Sequence, residues 1–404
     1  MTEGREGWVL RWLGRGVGAT LTQLESDAKM LLGGVRGEAP APFMQRQAPV
    51  WGAAKAPRSV GHEMLQVLRV EPAAEDAVSL VLHDPSGRAL RWQAGQFFTL
   101  KVRVLGVEHR RAYSVSWAES AAEPPGSVRV TVQRVPGGMV SERLVRDSKA
   151  GDWLAVEGPA GRFVLPDAVG EVVLLGGGSG VTPLVAMAQE ALGPGRATRV
   201  VMLLGARNHA RALHEAALQA LAAGSGGRMV LHSLVDQRAP GDDAAVREGR
   251  LDAATLGALL DEAQVSENAR YFMCGPEAML GSLRATLLAR GVSASAIEEE
   301  RFVRPSATRQ RGSAEAQPVT LRVLGREVTV AQKPGQTLLD AGLVAGVEMP
   351  FSCTMGGCGA CRVKLIAGEV SQEEPNCLRA HERDAGMVLA CVARAEGPVT
   401  VEVP

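Results

Sequence analysis

The stretch FSCTMGGCGACRVKL, residues 351–365, carries three of the chain's six cysteines, and Cys391 lies 30 positions beyond the last of them. C-x4-C-x2-C with a distant fourth thiol is a spacing that holds a [2Fe-2S] cluster. Two irons and two sulfides need four thiolates converging on a compact core, and Cys353, Cys358 and Cys361 on one tight loop fix most of that geometry. Gly356, Gly357, Gly359 and Ala360 leave room for backbone to wrap the cluster and turn N–H groups toward its sulfurs. The competing reading is a four-cysteine zinc site, which pairs two C-x2-C knuckles where only one exists here. Cys377 matches no ligand position and reads as an ordinary thiol.

Working outward, five of the six cysteines fall in the last 52 residues, a clustering that favours metal ligation over a disulfide framework. The 404 residues exceed one ordinary core, and 46% hydrophobic with 22% charged content is that of a core-forming globular protein. Forty-four basic residues balance 44 acidic ones, which gives no footprint of a nucleic-acid binder. No continuous apolar run is long enough to cross a bilayer, and the N-terminus lacks signal-peptide order, so the cytoplasm is the expected compartment.

The chain divides into five parts. Residues 1–60 form a leader and connector, in which Leu10, Leu13, Val17, Leu21, Leu24, Ala28 and Leu31 make a helical stripe. That stripe packs on its own domain, lies on the inner face of the membrane with Trp8 and Trp12 at the interface, or docks a partner protein. Residues 61–165 hold short alternating segments such as 65–70, 78–82, 97–102 and 128–133, which predict an all-β barrel or sandwich, with an antiparallel β-barrel as the expected form. From 166 to 303 apolar strands alternate with Ala- and Leu-rich helices, predicting a parallel α/β sheet. Residues 304–317 read as a polar linker. Residues 318–404 are predicted as an α+β unit of β-grasp type, with a hairpin around Gly325 and a short helix near 337–344 before the cysteine loop.

Together with LACVA at 389–393, the cysteine loop closely resembles plant-type ferredoxins. Arg111-Ala-Tyr113-Ser114, then Gly138-Met139-Val140-Ser141, then Gly158-Pro-Ala-Gly161 resemble in their order the flavin domain of the ferredoxin-NADP reductase superfamily. The resemblance implies FAD rather than FMN. Arg111 can neutralise phosphate, Tyr113 can stack on the isoalloxazine and Ser114 can hydrogen-bond near its N5. Gly138 to Ser141 would offer backbone N–H groups and a hydroxyl to the pyrophosphate. As bare residues, Arg111 is equally a surface ion-pair partner and Tyr113 a packing aromatic.

Val172 to Leu175 runs into Gly176-Gly177-Gly178-Ser179-Gly180-Val-Thr182-Pro183, a strand, glycine turn and helix start fit to cradle a nicotinamide dinucleotide. Cys274-Gly275-Pro276 strengthens the resemblance, which implies a cysteine beside the nicotinamide; the plain reading of Cys274 is a small buried hydrophobe. Arg207 and Arg211 follow the strand where the adenine ribose would be read, which favours NADPH while leaving NADH open. Glu300-Arg-Phe302 resembles the motif ending the reductase module, with Glu300 at the flavin edge.

Taken whole, residues 61–404 resemble the reductases with a C-terminal ferredoxin domain that feed oxygenases, hydroxylases, fatty-acid desaturases or cytochromes P450. The resemblance implies hydride transfer from NAD(P)H to FAD, with Ser114, Cys274 and Glu300 shaping the pocket. Single electrons would then pass to the cluster held by Cys353, Cys358, Cys361 and Cys391, and on to a protein acceptor. A redox sensor working through protein binding is the second reading. Scattered histidines, with His209 and His214 five apart, supply no hydrolytic metal site.

Overall fold

The computed structural model describes residues 62–104, 107–117, 123–124, 126–239, 247–302, 313–374 and 376–404. The leader stripe and residues 304–312 of the expected linker lie outside them. Six strands, β1 (His62–Ala74), β2 (Ala77–His83), β3 (Phe97–Val104), β4 (Val107–Trp117), β5 (Val128–Gln133) and β6 (Trp153–Ala160), close into an antiparallel barrel of order β1-β2-β5-β4-β3-β6. The period of two puts Leu80, Leu82, Phe98, Leu100, Val128, Val130, Val132, Leu154 and Val156 in one core. Helix α1 (Met139–Asp147) packs Val140 and Leu144 into that core, which fixes where its N-terminus points.

The second sheet has the order β10-β9-β8-β7-β11-β12, built from β7 (Glu171–Gly177), β8 (Arg199–Ala206), β9 (Met229–Val235), β10 (Arg247–Glu248), β11 (Arg270–Cys274) and β12 (Ile297–Glu300), all parallel. Both faces are covered. Helices α2 (Val181–Leu192) and α3 (Glu215–Gly224) meet Val172, Leu174, Val200 and Met202 on one face. Helices α4 (Ala253–Glu262) and α5 (Glu277–Ala289) meet Val173, Leu175, Val201 and Leu203 on the other. Burial on two faces is why these strands read as continuous apolar runs. Strand order reverses at β7, so the carboxyl ends of β7 and β11 flank a topological switch point, where open α/β sheets bind ligands.

The third unit is a five-stranded sheet of order β14-β13-β19-β15-β17, from β13 (Gln317–Val323), β14 (Arg326–Gln332), β15 (Arg362–Ala367), β17 (Met387–Leu389) and β19 (Val399–Val403); β16 (Val370–Gln372) and β18 (Ala393–Ala395) form a small pair beside it. The β13–β14 turn uses Leu324 and Gly325, both at positive φ, as a two-residue hairpin loop demands. Helix α6 (Leu338–Val344) starts at a capping box in which Thr337 and Asp340 satisfy each other's backbone N–H groups. A second short helix, α7 (Ala380–Asp384), precedes Cys391. No helix among the described residues is long and apolar enough to cross a membrane.

The barrel and the parallel sheet share a seam. The Glu75 N–H donates to the Ala210 carbonyl at 2.8 Å, Arg211 reaches Asp76 at 3.7 Å, and His214 Nε2 shares a 2.9 Å hydrogen bond with Thr131 Oγ1. Thr131 in turn bonds the Ser79 and Ser116 hydroxyls, each at 2.8 Å. Burial, helped by the Arg129 charge and opposed by Glu71, pushes the His214 imidazole down to about 4 from an ordinary 6.5. Because the folded value lies below the free one, the associated stability is complete above about pH 6.5 and drains as pH falls toward 4. The loss is about 3 kcal/mol in full, of which about 2 kcal/mol has gone by pH 5. Calorimetric unfolding at pH 7.5 and 5 should therefore show a drop in melting temperature that His214→Gln reduces; an equal drop in the variant refutes the assignment.

Candidate functional site

The register of the parallel sheet assembles the first part of the site. Gly176, Cys274 and Glu300 stand side by side at the carboxyl ends of β7, β11 and β12. Beyond them the chain must turn with almost no room. A Cβ on Gly180 would fall 2.1 Å from the Cys274 carbonyl oxygen, and one on Gly177 2.8 Å from Met279 Sδ. Gly275 faces Gly177 closely as well, and Pro276 caps α5. Gly178 differs: its φ is +55° and essentially open space lies where its side chain would be. The turn thus presses backbone against backbone on one side and bares backbone on the other.

Helix α2 begins at Gly180 with no side-chain cap; the Val181 N–H donates to the Gly178 and Ser179 carbonyls of the preceding turn, and the positive dipole end of the helix faces outward past the glycines. Thr182 Oγ1 donates to the Ser179 carbonyl at 2.9 Å, and Pro183 supplies no N–H. Helix α1 likewise starts at Gly138 without a side-chain cap. Ser141 is turned inward there: its Oγ accepts from the Val135 N–H at 3.1 Å and donates to the Gly138 carbonyl at 3.4 Å. The loop from Val135 into α1, with Met139 exposed, is therefore shaped by Ser141.

On β4, Arg111 is exposed and donates to the Arg110 carbonyl, Tyr113 is half-buried with its phenol pushed up by burial, and Ser114 is buried opposite Phe97 of β3. Helix α2 packs against β4, bringing the glycine turn toward these residues. Cys274 is fully buried, and burial, then the Glu300 charge, drives its thiol up. Burial, reinforced by Cys353, raises the Glu300 carboxyl to about 8, so it carries a proton at neutral pH. Its Oε2 is buried without a hydrogen-bond partner, on a residue paired with Cys274 and influenced by the Cys353 thiol. Such an orphan fits a polar ligand edge at this point.

Arg207 is exposed just past β8, its carbonyl fixed by the Gln237 N–H at 3.2 Å. Arg211 is engaged across the seam with Asp76 and Glu75. The two arginines that the sequence grouped thus have separate roles, and Arg207 alone faces solvent at the strand end.

Among the described residues no trio of His, Cys, Asp or Glu is gathered for one metal ion; the loop cysteines stand as two pairs. Cys353 Sγ accepts from the Met355 and Cys358 N–H groups at 3.4 and 3.3 Å, and Cys358 Sγ from those of Cys353 and Ala360 at 3.5 and 3.4 Å. The free thiols of Cys361 and Cys391 share a hydrogen bond. The partner thiol's hydrogen bond, followed by backbone donors, pulls Cys353 and Cys361 below the ordinary thiol range. Two thiol pairs with N–H groups aimed at sulfur fit a two-iron cluster, each iron taking one pair. Cys377 sits beside the loop, its thiol pushed up to about 12 by burial.

Sequence reasoning missed the contacts that bring this loop to the barrel. Arg110 Nη1 donates to the Phe351 carbonyl at 2.8 Å, Ser352 Oγ donates to Thr99 Oγ1 at 3.1 Å, and Arg162 Nη1 donates to the Cys377 carbonyl at 2.7 Å. These partners lie 215 to 253 residues apart in sequence and carry no local signal.

Family models match all three units: an oxidoreductase FAD-binding domain over residues 65–165, an oxidoreductase NAD-binding domain over 174–285, and a 2Fe-2S iron-sulfur cluster binding domain over 321–396. The chain is 31% identical over 351 residues to the E component of the 1,2-phenylacetyl-CoA epoxidase of Escherichia coli, covering 84% of this chain and 96% of that one. It is 30% identical over 371 residues to an NADPH oxidoreductase of Mycobacterium tuberculosis, covering 90% and 88%. The crystal structure of phthalate dioxygenase reductase shares the fold at TM-score 0.54 and 23% identity, covering 85% of this chain and 98% of that one.

The glycine turn yields a contrast in stability. Gly180→Ala must part β7 from β11 and should cost about 1–3 kcal/mol, whereas Gly178→Ala meets no atoms and should cost about 1 kcal/mol through its left-handed backbone. Thermal unfolding of the two variants checks the order; Gly178→Ala as the worse of the two would contradict the packing described.

Proposed function

The chain belongs to the ferredoxin-NADP reductase superfamily of flavin and iron-sulfur oxidoreductases, and from that premise we propose the residues through which it works and the acceptor it serves. It is an NAD(P)H-dependent oxidoreductase that uses FAD and a [2Fe-2S] cluster. NAD(P)H supplies two electrons as hydride, the flavin accepts them together and releases them singly, and the cluster carries one at a time. The functional units are 61–165 for FAD, 166–303 for the nucleotide and 318–404, of β-grasp type, for the cluster.

Arg111 holds phosphate, Tyr113 covers the isoalloxazine and Ser114 bonds near its reactive edge. Gly138, Met139 and Val140 offer N–H groups to the FAD pyrophosphate, with Ser141 shaping their loop. Gly177, Gly178, Gly180, Thr182 and Pro183 form the nucleotide's turn, Cys274, Gly275 and Pro276 wall the nicotinamide, and Glu300 keeps a proton on its buried carboxyl at the flavin edge. Cys353, Cys358, Cys361 and Cys391 bind the irons. The observation that carries this reading is Glu300, whose orphaned oxygen lies between the Cys274 strand end and the Cys353 loop. The acceptor is the oxygen-activating component of an oxygenase, hydroxylase, desaturase or cytochrome P450, a reading supported by the epoxidase relative.

An anaerobic absorbance spectrum before and after NADPH, then NADH, tests the relay. We expect about one flavin and two irons per chain, with both sets of bands bleaching. Cys391→Ser should lose the cluster while its flavin still bleaches, and Arg207→Ala should narrow the preference for NADPH by about tenfold. Flavin that bleaches while the cluster stays oxidised would sink the relay.

The cytoplasm is the proposed compartment, and the stripe at residues 10–31 is the candidate for peripheral contact with the inner face of the membrane. The full chain should then float with anionic liposomes and a variant lacking residues 1–60 should not; equal flotation removes that role.

A further inference from the structure

The cysteine loop is gripped from both sides by barrel arginines, and each grips backbone. Arg110 lies on β4, opposite Lys101 of β3 and next to Arg111. Its Nη1 donates to the Phe351 carbonyl, two residues before Cys353, and its guanidinium carbon lies 4.4 Å from the centre of the Phe351 ring. The barrel holds this guanidinium in place: Glu108 takes Nε at 3.1 Å, and Glu157, itself bound to Lys101 at 2.5 Å, lies 3.6 Å from Nη1. A planar fork fixed by carboxylates on its own domain loses little freedom when the loop arrives. Buried Ser352 and Thr99 bond beside it, and a Cβ on Gly357 would sit 3.5 Å from the ring of Phe97, the residue paired with Ser114.

The second grip is Arg162 on the Cys377 carbonyl, with Glu382 at 3.5 Å. Cys377 is tied to the loop through its N–H on the Gly356 carbonyl at 2.9 Å. Glu382 also pairs with Arg362 at 3.2 Å, next to Cys361. The two arginines therefore hold both flanks of the ligand loop while touching no ligand sulfur.

We propose that Arg110, with Arg162 opposite, is a positioning residue that docks the cysteine loop on strands β3 and β4, setting the separation across which electrons pass from the reduced flavin to the oxidised cluster. The proposal rests on the flavin-to-cluster reading above. It separates two steps: reduction of the flavin by nucleotide needs neither arginine, and reduction of the cluster needs both. A misplacement of about 1 Å at a reacting pair costs up to about 100-fold in rate.

The test uses the full-length holoprotein and Arg110→Met, which keeps an apolar stem over Phe351 and removes the charge and donors. In anaerobic stopped flow with NADPH, flavin bleaching should keep its wild-type rate while cluster bleaching slows about 10-fold to 100-fold. Hydrogen exchange at residues 351–358 should rise in the same variant, with the visible circular dichroism of the cluster unchanged. Arg110→Lys, which keeps the charge and loses the fork, should recover part of the rate. Cluster bleaching at the wild-type rate in Arg110→Met overturns the proposal, as does a slowed rate with unaltered exchange. Should Arg110→Met fail to retain FAD, Arg162→Met is measured by the same two readouts, and the same outcomes support or overturn the proposal. A wild-type cluster that never bleaches would instead strike the underlying relay, so the two failures are distinguishable.

Discussion

The hydrogen-bonded register of β7, β11 and β12 is the constraint on which the rest of the arrangement depends. It sets Gly176, Cys274 and Glu300 in a row at one end of a sheet whose two faces are fully packed. A slip of one residue in β12 would turn Glu300 to the opposite face and bring Glu299 into its position. Glu299 is held by Arg284 and Arg301, so the ion pairs on one side of the strand oppose such a slip and keep the unpaired carboxyl on the other. A buried acid without a partner is costly, and it persists here because its neighbours on both sides are fixed by packing.

The two seams around this row have different chemistry. Where the barrel meets the parallel sheet, apolar contact and a buried neutral imidazole dominate, with Ala73, Ala74 and Ala77 joined to the sheet's own core. Where the cysteine loop meets the barrel, the contacts are arginine to carbonyl, hydroxyl to hydroxyl, and one cation over a ring. Contacts of that kind are typical of inter-domain interfaces, which are more polar than a domain core.

The sequence made the architecture legible because each unit advertises itself locally. Alternation with period two marks the barrel, apolar runs mark the doubly covered sheet, and the cysteine spacing marks the loop. The glycine turn was legible too, since a strand running into Gly176–Gly180 leaves few conformations. Pairings across the seams were not. Arg211 follows its strand as closely as a nucleotide reader should, yet Asp76, 135 positions earlier, holds it. Ser141 has the residue type of a phosphate ligand, but its hydroxyl closes its own loop, and only the loop's conformation decides which donor it meets. Arg110 sits beside the arginine of the flavin motif and looks redundant until the Phe351 carbonyl comes within reach.

That both barrel arginines engage carbonyl oxygens has a consequence for how such a seam is specified. A contact to a carbonyl depends on backbone shape and hardly on which side chain the partner residue carries. The loop's shape is dictated by its cysteines and by Gly356 and Gly359, both at positive φ. The surface offered to Arg110 is thus fixed by the same residues that make the thiol pairs, while Arg162 takes the Cys377 carbonyl, whose own N–H is tied to the loop at Gly356. Specificity then falls on the barrel side, where Glu108, Glu157 and Lys101 orient one guanidinium and leave Arg111, its neighbour in sequence, to face the other way. Adjacent residues on one strand project to opposite sides of it, so of the two arginines only Arg110 is turned to the cysteine loop.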